Sequence, residues 1–147
     1  MHGILLAIHL LCATIWTGGH IVLSAVVLPG VLRERSPQKL LSFESAYEKV
    51  GMPALVIQII TGLILSYQLL PNVSLWFDTT NPLSKGILIK LSLLALTLIF
   101  AIDARFRVMP KLSKDNLLDM ALHIIPVTIF SMLLVIVGVS FRTGWLF

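Results

Sequence analysis

The chain has little charge, almost no cysteine, and nothing basic at its start. Only 12% of its 147 residues are Asp, Glu, Lys or Arg, against 57% apolar. Soluble domains carry about twice that charge. A chain this short has too high a surface-to-volume ratio to hide so much apolar surface within itself, so the excess must face lipid. Cys12 is the one cysteine, which excludes an internal disulfide. Alone on an apolar segment, it reads as packing. The first 28 residues contain no Lys or Arg, and no small-residue cleavage pattern precedes Pro29. The N-terminal run is therefore expected to be a retained first span rather than a secretory leader. There is no internal repeat and no low-complexity stretch. The net charge of +4 sits in short segments between apolar runs, which argues against a nucleic-acid partner.

Four apolar segments stand out, at about 4–28, 51–70, 86–102 and 121–141. Each is long enough to cross about 30 Å of hydrocarbon. They are continuously apolar rather than alternating, so helices are the expected spanning form. The expectation is an all-α integral membrane protein: a four-transmembrane-helix bundle forming a single domain over 1–147. Pro29-Gly30 is expected to end the first span and Pro71-Asn72 the second. Asn81-Pro82 caps the third, Asp103 closes it, and Pro110 follows. Pro53 is placed in the first turn of the second span, and Pro126 one turn into the fourth. Segments 33–49 and 103–116, read as loops, hold eight of the eleven basic residues. The positive-inside rule places both in the cytoplasm and both termini outside. Trp76 and Phe77, in segment 71–85, are read as an outer interfacial belt.

His2, His9 and His20 are spaced 7 and 11 residues apart, which puts them within about 20° of one line along a helix. Intramembrane imidazoles are functional candidates by default. His20 lies about 16 Å deeper than His9. His123, on the fourth span, falls in the same inner half as His20. Two imidazoles on facing helices suit a b-type haem. His9 is the candidate ligand of an outer haem, His20 and His123 of an inner one, with Trp16 between them on the histidine face. Lys90 and Arg142 on the outer side, and Arg105 and Arg107 on the inner, are candidate partners for propionates. Gln58, Thr61, Gly62 and Ser66 form a mildly polar strip on the second span, read as helix contact. Copper is the alternative metal. Cu(I) favours sulfur ligands, yet the five methionines share no helical spacing and Cys12 stands alone. Composition therefore favours haem over a compact copper site and leaves a copper path with stations along the histidine face open.

The stretch HLLCATIWTGGHIVLSAVVLP resembles the first span of the CopD-type copper-resistance membrane domain. KVGMPALVIQIITGLIL, GILIKLSLLAL and RFRVMPKL fit the same pattern. The layout is also similar to the HemJ-type protoporphyrinogen oxidases, through His9 with Trp16, Met52-Pro53 before Gly62-Leu63, and Lys90. The resemblance implies a small bacterial inner-membrane protein with a haem or copper role. His9 and Lys90 are the positions it carries over. His20 stands where the HemJ pattern has an apolar residue, and the arginine expected soon after the first Trp is missing.

The function expected from the sequence is a membrane haem protein. It would bind one or two haem b groups and pass electrons within the bilayer, with a quinone or cytochrome as redox partner. A homo-oligomer is compatible with that role. The alternatives are a CopD-type copper permease and a HemJ-like porphyrinogen oxidase.

Overall fold

The computed structural model describes residues 1–146. Among them there is no strand, and four helices are long and apolar enough to span a membrane. They are α1 (His2–Glu34), α2 (Pro37–Leu69), α3 (Pro82–Lys111) and α4 (Leu117–Thr143). Large apolar side chains such as Ile4, Leu11, Ile60, Ile99, Phe106 and Leu122 are exposed on their outer faces, as a lipid-facing surface requires. A short 3₁₀ turn, Val73–Phe77, links α2 to α3. Trp76 is buried in it and donates Nε1–H to the Leu70 carbonyl at 2.8 Å, while Phe77 is exposed. Only Phe77 of the expected aromatic belt thus faces outward.

Three helix boundaries differ from the sequence expectation: the end of α1, the start of α2, and the end of α3, which runs past Asp103 to Lys111. Pro29-Gly30 does not end α1. A π turn over Leu23–Val27 widens the helix just ahead of Pro29, and the chain runs on to Glu34. Proline removes an N–H and crowds the preceding turn, and a wider turn absorbs both. The same device recurs in α3, where Ala104–Val108 forms a π turn ahead of Pro110. Arg35, with φ 49°, terminates α1. Segment 33–49 is mostly helix, not loop. Ser36 caps α2 through Oγ and the Lys39 N–H, and Pro37 occupies the first turn. Pro53 therefore lies mid-helix. At 33 residues, α1 and α2 are each about 50 Å long, so they project beyond the hydrocarbon.

All charged residues but Asp78, Lys85, Lys90 and Arg142 lie toward the end where α1 finishes and α2 begins, called here the distal end. The other is the proximal end. α1 packs against α2 and α4, and α3 packs against α4, while α2 and α3 barely meet. Leu23, Val31, Leu40, Val108 and Ile124 form an apolar core at the distal end. Trp16, Leu55 and Val127 form a smaller one at mid-height. Thr128 on α4 donates to the His20 carbonyl at 3.1 Å, tying α4 to α1.

Candidate functional site

The three histidines of α1 share a bonding pattern as well as a face. His2 Nδ1 donates to Gln68 Oε1 at 2.8 Å, at the exposed proximal edge. His9 Nδ1 pairs with Thr61 Oγ1 at 2.9 Å. That hydroxyl gives its own proton to the Ile57 carbonyl at 2.7 Å, so the proton between ring and hydroxyl belongs to His9. His20 Nδ1 donates to the Trp16 carbonyl at 3.0 Å. In each case the acceptor assigns the ring proton to Nδ1, and among the described residues Nε2 has no hydrogen-bond partner. A histidine anchored through one nitrogen, with the other bare, is the arrangement metal-binding histidines use.

The two deeper levels differ. His9 is half-buried against Gly62, where a Cβ would lie 3.0 Å from the ring. Two members of the polar strip, Thr61 and Gly62, thus seat its imidazole. The Lys90 ammonium lies against Gly138 of α4, where a Cβ would come within 3.5 Å of it. It also sits 5.7 Å from the centre of the Phe141 ring, a cation–π contact within the bundle. Arg142 is exposed.

His20 is buried and borders a cavity of about 270 Å³ that all four helices line. Trp16 lies over it, ring centres 4.3 Å apart. The Trp16 Nε1 is buried without an acceptor among the described residues. Tyr47 reaches across from α2, its hydroxyl 3.0 Å from the Trp16 carbonyl. Its ring fills a slot between Gly19 and Gly51, where a Cβ at either position would collide with it.

His123 borders the same cavity from α4. Sequence reasoning placed His20 and His123 in the same half of the bilayer, and both line one cavity. The ring nitrogens of His123 are both taken, however. Nδ1 donates to the Asp119 carbonyl at 2.7 Å, and Nε2 meets Asp103 Oδ2 at 2.7 Å. Arg107 completes the cluster with bonds to Asp103 and Asp119. Arg105 makes a bidentate pair with Glu48, at 2.7 and 2.8 Å, which bridges the gap between α2 and α3. Both inner arginines named as propionate partners are thus paired with carboxylates.

Four cavity residues were not singled out as ligand candidates from sequence: Glu44, Tyr47, Met52 and Met109, while Met120 was named, with Met132, only as an alternative haem ligand in place of His123. Glu44 forms no contact ion pair among the described residues. For α2 a signal existed. Positions 44, 47, 48, 51, 52 and 55 follow the i, i+3, i+4, i+7 helical rule, but segment 33–49 was read as loop. For Met109 there was none, and nothing local joins it to Met120, because they come from different helices.

A family model for copper resistance protein D matches residues 42–142. The chain belongs to the CopD family. The match spans α2, α3 and α4, and with them Glu44, Met52, Lys90, Met109, Met120 and His123. The histidine face of α1 lies outside it. No curated protein and no solved structure matches the chain. Membership in this family, with four spanning helices, makes the chain a multi-pass membrane protein related to copper resistance.

The haem reading gains no support from these residues, since both ring nitrogens of His123 are taken and it offers none opposite His20. Among the described residues, no three His, Cys, Asp or Glu side chains cluster as a ready-made ion site.

Proposed function

We propose that this CopD-family chain carries copper as cargo across the bacterial inner membrane, and that His20 Nε2 holds the ion in transit. What supports it is one observation: a buried imidazole anchored at Nδ1 presents a bare Nε2 beside a cavity that all four helices line. Glu44 adds an unpaired carboxyl group to the same cavity. His9 and His2 continue the line of bare Nε2 atoms toward the proximal end. With both termini outside, the cavity lies toward the cytoplasm, as the eight basic residues of the distal end require.

The decisive experiment is copper entry into proteoliposomes that enclose a colorimetric Cu(I) chelator. His20→Ala is expected to abolish entry, whereas Met132→Leu, on the exposed face of α4, leaves it unchanged. Entry at the wild-type rate through His20→Ala would refute the assignment. Reporter fusions after residue 147 and at residue 112 test the orientation. A cytoplasmic C-terminal reporter reverses it.

A further inference from the structure

The cavity has a second chemical character. Met52 of α2, Met109 at the end of α3 and Met120 at the start of α4 all line it, together with His20 of α1. Three of the chain's five methionines, from three helices, thus line the cavity that His20 of the fourth also lines. Met120 is only 3% exposed, whereas Met52 is 49% exposed and stands where the cavity meets the outer surface of α2. Thioether sulfur is a neutral, soft donor that selects Cu(I), and imidazole suits copper as well. The remaining charged groups on this wall are spoken for, Arg105 by Glu48 and His123 by Asp103. Glu44 is left as the one unpaired oxygen donor.

We propose that the cavity is a soft-metal site for Cu(I), formed by His20 Nε2 and the thioethers of Met52, Met109 and Met120, which also accepts Ag(I) and rejects Zn(II). It rests on the copper reading above and adds the oxidation state and the ligands. Neutral donors let the ion enter without releasing a proton, and a flexible Met52 at the rim hands it inward to the buried Met120. Met side chains adapt to irregular spaces, so two or three thioethers can close on an ion that no rigid cage surrounds.

The test uses the full chain in detergent, under anaerobic conditions, with Cu(I) and Ag(I) delivered from competing chelators. X-ray absorption on the Cu(I)-loaded wild type is expected to show sulfur together with nitrogen neighbours. Met→Leu changes nearly conserve volume, and the triple change at positions 52, 109 and 120 should remove the sulfur signal. It should also weaken Cu(I) and Ag(I) binding by about 10–100-fold or more, a loss that removal of an outer-shell partner alone already produces. Met132→Leu should change neither. A wild-type spectrum with nitrogen and oxygen neighbours only overturns the thioether assignment and leaves the His20 reading standing, and it needs no variant to fold. Undiminished Cu(I) affinity in a well-folded triple variant does the same. Failure of the wild type to bind either ion overturns both.

Discussion

The two walls of the cavity each present a histidine of nearly equal burial, His20 at 9% and His123 at 8% exposed. Their surroundings put them to opposite uses. On the α1 wall, His20 meets a carbonyl through one nitrogen and nothing through the other. On the α4 wall, His123 spends both nitrogens on oxygens, in the pattern of an imidazolium donating twice. Asp103 in turn holds Arg107, which holds Asp119, so His123 belongs to a four-residue clamp joining the end of α3 to the start of α4. Burial and residue type do not separate a ligand from a strut here. The count of free nitrogens does.

That contrast is open to attack from both sides. The largest expected effect is on metal affinity: His20→Ala should lower Cu(I) binding by about 100-fold, the upper range for loss of even a supporting group, with thermal stability nearly unchanged. Chelator competition and a melting curve on the same preparation measure both. The mirror experiment is His123→Ala, which should cost about 1–3 kcal/mol by leaving buried groups unmatched and yet keep Cu(I) affinity. If instead metal affinity falls with stability intact, the two walls exchange roles. Gly19→Ala sharpens the α1 side. A methyl group there overlaps the Tyr47 ring, and overpacking of this kind costs about 1–3 kcal/mol. Denaturation in mild detergent should show the loss, and Tyr47→Leu in the same background should recover part of it. The smallest effect is expected from Glu48→Gln. Its pair with Arg105 is more than a third exposed on both sides, so its removal should cost no more than about 1 kcal/mol. It should, however, make Met52 more accessible to oxidation, read by mass spectrometry after dilute peroxide treatment.

Much of the fold was legible, because lipid imposes a simple rule of long apolar runs, each a helix. The histidine face was legible for the same reason, since His2, His9 and His20 share one regular helix before its first irregularity. What escaped had two causes. The charged end of α1 and the charged first half of α2 extend past their apolar runs, so hydropathy stops before the helices do, and the face running from Glu44 to Leu55 went unread. The gathering of Met52, Met109 and Met120 depends on how three helices pack, which no local pattern records. The clamp was partly visible in advance. Asp103 with Arg107 and Asp119 with His123 are both i, i+4 pairs, but only packing joins the two into one cluster.

The π turns ahead of Pro29 and Pro110 have a consequence for lineage. A turn of this kind holds one residue more than a regular helix needs, so Leu23–Val27 and Ala104–Val108 are each read as a single-residue insertion kept in place by the proline two positions beyond. Relatives without the proline are free to drop the extra residue and keep the same sides of the helix facing inward on both flanks. Gaps of one position at these two points, paired with the presence or absence of proline, would then record gain and loss of a bulge and not a change of fold. Aligned without such gaps, the distal third of α1 would be compared one residue out of phase.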